Sequence, residues 1–334
     1  MIKIRPLEPG DLEGMHTLFK RSFGKDRSRG CEAWRYFETP YGVVPGAVAV
    51  EGDRIVASYT AWPTPLSIGG EKIKGAQSMD TMTDPEYRGK GLFPKVAMAC
   101  YELMSTSGYE VVYGFPNREV YNGRVHRLNW DHTGNISMWK RLVLPRLLLP
   151  RPLAAAGRCA WGLFNPLANT RGWDIAEEGS APADLEGLLA AGGPDRNRRV
   201  CQVQRDRIWL EWRYSPTSER DYVWVTLRCD GQIKALLVYR REAPHRLILA
   251  ETIGNREALA AGIRHIVSKA EAARPVIVTT LTSDKATIEA LCANGFIRRG
   301  HQMLAVRSLT NRFFRGNIHH HDGWRMFGGD IDVF

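Results

Sequence analysis

The sequence holds few cysteines and none in a pairing pattern. The six stand at 31, 100, 159, 201, 229 and 292, with no CxxC among them. That spacing argues against a thiolate zinc site or a disulfide framework and fits a reducing compartment, so a metal-free, cytoplasmic protein is expected. No uncharged apolar run approaches the roughly 18–20 residues of a membrane span. Met1-Ile2-Lys3-Ile4-Arg5 has no long apolar core behind its charges and no small-residue cleavage site, so no secretory signal is read there. Compositional bias is also missing: 44% apolar and 25% charged residues exclude a disordered or collagen-like chain. Acidic residues fall short of basic ones, 36 against 46, leaving a net charge of +10. A basic surface favours polyanions, whether nucleic acid, anionic lipid or a phosphate-bearing small molecule. The length, 334 residues, allows two domains.

Along the chain, residues 2–5 alternate as a short strand. Pro9-Gly10-Asp11 opens a helix with Leu12, Met15, Leu18 and Phe19 on one face and Asp11 as N-cap. Ala47–Val50 and Ile55–Trp62 form a hairpin around Gly52-Asp53, and Leu66–Ile68 and Ala76–Thr83 are further strands. Helical spacing returns over 92–103, followed by a short apolar strand at 111–115 and a helix from Glu119 to Leu128.

Much of this recurs. Trp34-Arg35-Tyr36 reappears as Trp212-Arg213-Tyr214, and each is followed by a hairpin, tipped by Gly52-Asp53 or by Asp230-Gly231. Asn129-Trp130 precedes a strand holding Met138, as Gly295-Phe296 precedes one holding Met303. Helices often end on a left-handed residue, which Gly adopts freely and Asn tolerates. Three matches in order indicate a duplication: copy one over 1–140 and copy two over 173–310. Between them, 141–172 is a Leu-, Pro-, Ala- and Arg-rich linker that Pro145, Pro150 and Pro152 keep from forming a long helix. Its basic, apolar stretch 141–164 is expected to pack on the domains rather than lie on a membrane. In the irregular tail 311–334, His319-His320-His321 is expected to be a solvated loop rather than a metal site.

The chemistry concentrates in Met82-Thr83-Asp84-Pro85-Glu86-Tyr87-Arg88-Gly89-Lys90-Gly91-Leu92-Phe93. A strand runs here through a Pro/Gly turn into an amphipathic helix. Such a helix start offers unpaired N–H groups and the positive end of the helix dipole. Glycines let a phosphate approach the backbone, and Arg88 and Lys90 add charge, so the place suits a pyrophosphate.

This stretch resembles motif A of the GNAT (GCN5-related N-acetyltransferase) superfamily, [RQ]xxGx[GA], with Arg88 and Gly91 in place and Phe93 departing from the usual Gly or Ala. The order of elements in copy one is similar to GNAT throughout, with Asn129-Trp130 where the family has Gly-Phe. The resemblance implies an α/β fold: two tandem GNAT-like domains, each a mixed sheet flanked by helices. The second is degenerate, because the stretch Gly254-Asn255-Arg256-Glu257-Ala258 has no RxxGxG. It further implies acetyl-CoA or another short acyl-CoA as co-substrate. Thr83, Arg88, Gly89, Lys90, Gly91, Leu92 and Phe93 would bind it, with Met82 pairing its backbone to the pantetheine arm and polarising the thioester carbonyl. Asn117 would meet the pantetheine or the acceptor.

An attacking amine must lose a proton. Asp80, on the same strand face as Met82, is the first base considered; a buried structural Asp is the other reading. The family's proton-donating Tyr maps to Val125 counting back from Asn129-Trp130 and to Arg124 counting forward from Asn117. Neither is an acid, so Tyr121 and His126 are the substitutes considered. The expected activity is N-acyl transfer to a primary amine. The acceptor is read as a nucleotide-linked amino sugar, because the chain resembles double-GNAT bacterial proteins that acylate such sugars. The alternatives are an aminoglycoside or peptide acetyltransferase and a non-catalytic acyl-CoA or nucleotide-sugar binder. No RNA-recognition aromatic signature is present.

Overall fold

A computed structural model describes residues 1–143, 169–191, 200–271, 276–314 and 317–331. The first half comprises β1 (Ile2–Pro6), α1 (Leu12–Phe23), α2 (Arg29–Tyr36), β2 (Gly46–Glu51), β3 (Arg54–Ile68), β4 (Glu71–Thr83), α3 (Leu92–Thr106), β5 (Val111–Gly114), α4 (Arg118–Asn122) and β6 (Asp131–Val143). The second comprises β7 (Asp174–Glu178), α5 (Glu186–Ala191), β8 (Cys201–Val203), α6 (Arg207–Arg213), β9 (Tyr222–Cys229), β10 (Gln232–Ala243), β11 (Arg246–Gly254), α7 (Arg256–Glu271), β12 (Val276–Leu281), α8 (Lys285–Cys292) and β13 (Ile297–Ser308), followed by β14 (Trp324–Arg325). Most of the Leu/Pro-rich linker lies outside the described residues.

Local chemistry sets many of these boundaries. The hairpin tips take left-handed backbone at Gly52 (φ 59°) and at Asp230-Gly231 (φ 52° and 72°). Asn129 and Gly295 are both left-handed as well, at φ 50° and 70°, and each turns the chain into the strand that follows. Asp11 sits at the N-cap of α1, but its carboxylate accepts from Glu8 N–H and pairs with Arg5 rather than capping the helix. The strand read as ending near Trp62 continues to Ile68. Pro63 and Pro65 are tolerated because β2 pairs with β3 only as far as Thr60, so their missing N–H groups interrupt no ladder on that side.

The strands form one sheet in the order β1-β2-β3-β4-β5-β13-β6-β12-β11-β10-β9-β7. Matching β1–β6 with β7, β9, β10, β11, β12 and β13 makes that order a palindrome. The parallel pairs, β4–β5 and β11–β12, are matched too. The two halves are entwined: β13 lies between β5 and β6, and β6 lies between β13 and β12. Each half therefore completes the other's sheet.

Helices cover both faces. In the first half, α3 buries Leu92, Val96, Cys100 and Met104 against β2, β3 and β5, while α1 and α2 bury Met15, Leu18, Phe19 and Trp34 on the opposite side. Trp34 stacks on Trp212 with ring centroids 5.1 Å apart, so the repeated Trp-Arg-Tyr triplets meet each other. The tail, read as irregular, is threaded into the core: Ile318, Trp324, Met326 and Ile331 are buried. Each large apolar side chain so buried contributes roughly 1.5–3 kcal/mol. His319, His320 and His321 stay at the surface, paired with Asp131 and Asp322.

Candidate active site

The basic loop is held at its entrance. Asp84 accepts from Glu86 N–H and from the guanidiniums of Arg21 and Arg54. Burial raises its pKa, but these bonds outweigh that and hold the group at about 2. Beyond it, Gly89 and Gly91 adopt φ 77° and 70°, and no atom lies within 4 Å of the Cβ either one lacks. The helix α3 then starts at Leu92 with no side-chain cap, so no N-cap side chain takes up its first N–H groups. Leu92 itself is buried core. The Lys90 ammonium rests 4.3 Å from the centre of the Tyr87 ring.

A cleft of about 860 Å³ opens from this helix start, lined by Thr81, Met82, Thr83, Arg88, Phe93, Asn117, Glu119, Gly123, His126 and neighbours. Phe93 stands where a small residue was expected. Its ring lies against Gly123, where an added Cβ would come within 2.8 Å of it. Asn117 caps α4 through Oδ1 to Val120 N–H. The strands β4 and β5 pair only from Gly75 to Gln77, then diverge. The edge of β4 at Thr81–Thr83 is therefore left unpaired by β5 and can accept an extended ligand as a strand would.

After Asn122 the chain makes a π turn, Gly123–Arg127. A π turn inserts one residue into a helix and is frequent at functional sites. That insertion is why counting from the two flanking landmarks gives positions one residue apart.

Residues 3–132 match the family model described as Acetyltransferase (GNAT) domain. They form a GNAT acetyltransferase domain. No curated protein matches the chain in sequence. Solved structures share its fold across both halves. A probable N-acyltransferase of unknown function from Enterococcus faecalis V583 is 12% identical over 92% of this chain and 73% of its own, with a TM-score of 0.67. A GCN5-related N-acetyltransferase from Kribbella flavida is 17% identical over 92% and 71%, with a TM-score of 0.66. A tandem GNAT protein from the clavulanic acid biosynthesis pathway is 12% identical over 94% of this chain and 100% of its own, with a TM-score of 0.55. The chain thus has a tandem GNAT fold.

Within the GNAT domain, Asp80 shares the α1–α2 face with Met82, where the register of β4 against β3 slips by one residue and Asp80 takes φ 38°. Its buried carboxylate accepts from Arg27 (2.7 Å), Arg35 (2.8 Å) and Tyr36 Oη (2.9 Å). Burial raises its pKa, but the Arg35 and Arg27 guanidiniums outweigh that and hold it well below the usual carboxylate range. So firmly ionised a group is a weak proton acceptor. The second half repeats part of this arrangement: Glu251 of β11 accepts from Tyr214 Oη (3.1 Å) and Arg205 (3.3 Å). Arg205 also donates to Asp330 at 2.6 Å, however, and burial with the Asp330 charge nearby raises the Glu251 pKa where that of Asp80 is lowered. A tyrosine–carboxylate–arginine contact thus recurs in both halves, which favours the structural reading of Asp80 over that of a base.

Tyr121 packs edge-on against His132, 5.5 Å between centroids, and does not line the cleft. His126 and Glu119 do line it, both with exposed side chains. Two residues passed over as functional groups in the sequence also stand here. Arg124 is 5% exposed and donates to Ser78 Oγ and Thr81 Oγ1. Thr81 itself lines the cleft. The signal for Arg124 was the forward count from Asn117, which lands on it.

Proposed function

We propose that the first half binds an acyl-CoA and transfers its acyl group directly to a primary amine. The observation that carries this is the uncapped start of α3 behind two left-handed glycines, opening on a cleft that ends where β4 and β5 part. The first N–H groups of α3 with Arg88 and Lys90 would take the pyrophosphate. The free edge at Met82–Thr83 would pair with the pantetheine amides, placing the thioester near the Met82 N–H, which would polarise its carbonyl. Asn117 borders the same space. Of the residues lining the cleft, His126 and Glu119 carry groups able to receive the amine's proton, and we favour His126. No covalent enzyme intermediate is required. The acceptor we favour is a nucleotide-linked amino sugar, whose diphosphate suits a chain of net charge +10, in a cytoplasmic setting.

The test is calorimetry with acetyl-CoA, followed by release of free CoA thiol in the presence of an amine panel. One site per chain and amine-dependent thiol release are expected. Binding without release from any amine would favour the acyl-CoA sensor reading.

A further inference from the structure

Arg124 is a buried cation without a counter-ion. No carboxylate lies within ion-pair distance of it among the described residues, and its Nε and one terminal nitrogen (Nη1) have no acceptor. Its guanidinium lies over the Trp130 ring, 4.8 Å to the centroid, with Tyr59 at 6.0 Å. The free nitrogen faces Gly114 of β5, where an added Cβ would come within 2.6 Å of it. The other terminal nitrogen donates to Ser78 (2.9 Å) and Thr81 (3.3 Å) of β4. The charge thus bridges β4 and β5 where they diverge. Leaving a charge buried and uncompensated is strongly unfavourable, and the Trp130 and Tyr59 rings offset only part of that. The second half spends nothing here: six residues before Phe296, where Arg124 stands six before Trp130, it has buried Ala290 in an ordinary α-helix. Among the described residues, the second half has no π turn and no cation at the position corresponding to Arg124.

We propose that Arg124 and Thr81 together stabilise the CoA thiolate as it leaves, in place of a proton-donating acid. The inference rests on the acyl-CoA reading above. Because Thr81 Oγ1 accepts from Arg124, its own hydrogen is free to point into the cleft toward the sulfur. The amine lone pair forms the new N–C bond, the C–S bond breaks, and its electron pair leaves on sulfur. Thr81 donates a hydrogen bond to that sulfur and keeps its proton, while the buried charge behind it favours the anion. The nitrogen's proton leaves on the cleft side, through His126 or water. Thr81 is the group that touches the leaving atom; Arg124 acts through it as a positioning and charge-supplying residue.

The experiment is a pH titration of thiolate absorbance for CoA bound to the full chain, with affinity measured in parallel by calorimetry. Bound CoA is expected to titrate about one pH unit or more below free CoA titrated under the same conditions. In Thr81→Val and Arg124→Met the bound thiol should return to the free value while CoA affinity changes less than about threefold; Thr81→Ser should keep the lowered value. Thr81→Val keeps the test open if Arg124→Met does not fold. CoA that binds the wild-type chain with an unshifted thiol, or a shift that survives Thr81→Val, overturns the thiolate pair alone. Failure of the wild-type chain to bind CoA overturns the acyl-CoA reading and this inference with it.

Discussion

The two halves of this chain are built alike and differ at the start of one helix. In the first, Gly91 precedes α3 and offers no side chain to its N–H groups. In the second, Asn255 precedes α7 and its Oδ1 accepts from Ala258 N–H, so the helix caps itself. Gly254 beside it is packed tight: an added Cβ would come within 2.6 Å of the Lys234 carbonyl. A self-capped helix start has fewer free donors to offer a phosphate, although a cavity of about 1100 Å³ opens beside Gly254 and Asn255. Where the halves agree, at Tyr36–Asp80 and Tyr214–Glu251, the residues hold the fold. Where they part, at Gly91 and Arg124, they form the proposed site.

The strongest way to break the comparison is to separate the halves. A chain ending at residue 143 keeps all of β6 but loses β13, which leaves the apolar edge of β5 open and β6 without either neighbour. Such a fragment is expected to aggregate. A soluble, monomeric fragment with cooperative unfolding would show that the entwined sheet is dispensable to the first half.

The next largest effect tests whether the shared network is structural. Asp80→Ala leaves Arg27 and Arg35 buried without their carboxylate and should cost about 3–5 kcal/mol. Glu251→Ala should cost less, because Arg205 keeps Asp330 at 2.6 Å; denaturant unfolding of each variant measures both. The lowered pKa of Asp80 means the folded state holds this proton less tightly than the unfolded chain does. Its contribution is therefore fully present above about pH 4 and lost as pH falls through the folded value. If Asp80→Asn instead leaves stability unchanged and lowers turnover by ~10²–10⁴-fold, Asp80 is a base after all.

Much of this was legible in the sequence, and the gaps have physical causes. The duplication could be read because left-handed turns and the Trp-Arg-Tyr triplet leave local marks. The turn into α3 could be read because Gly89 and Gly91 stand where a strand must turn sharply into a helix. Strand exchange was not legible, since nothing in the sequence of β6 or β13 marks which half supplies its neighbours. Asp80 looked like a base because a sequence shows that a carboxylate is on a strand but not that Arg27 and Arg35 reach it. The one-residue disagreement over Arg124 or Val125 was the trace of the π turn.

A third comparison concerns the loop itself. Gly91→Trp places a bulky side chain at φ 70° over the α3 start and should weaken acetyl-CoA binding by about 100-fold, the loss of one or two charge-assisted hydrogen bonds. Asn255→Gly removes the side-chain cap of α7 and should cost only a few tenths of a kcal/mol of stability without creating a second CoA site. Calorimetry decides both: full affinity in the first variant, or a second site in the second, would erase the distinction drawn between the two helix starts.

The smallest effect lies one turn from the shared triplet. Aligned on that triplet, Glu32 of α2 corresponds to Leu210 of α6, and both are fully buried. The Leu packs in the apolar core. The Glu has His16 Nδ1 at 3.3 Å, yet neither carboxylate oxygen finds a hydrogen-bond donor. Burial pushes its pKa up to about 7, with Arg27 and Arg29 opposing. A carboxylate whose pKa is raised on folding binds its proton more tightly in the folded state, so stability falls as pH rises from about 4.5 toward 7 and stays low above it. Glu32→Gln removes that dependence and should stabilise the protein by about 1–3 kcal/mol at pH 8 and by little at pH 5. Glu32→Leu, which gives the first half the residue of the second, should show the same pH trend. Melting temperatures of the three proteins at both pH values check this. Equal gains at pH 5 and pH 8 would mean that packing, not the buried charge, sets the difference between the two helices.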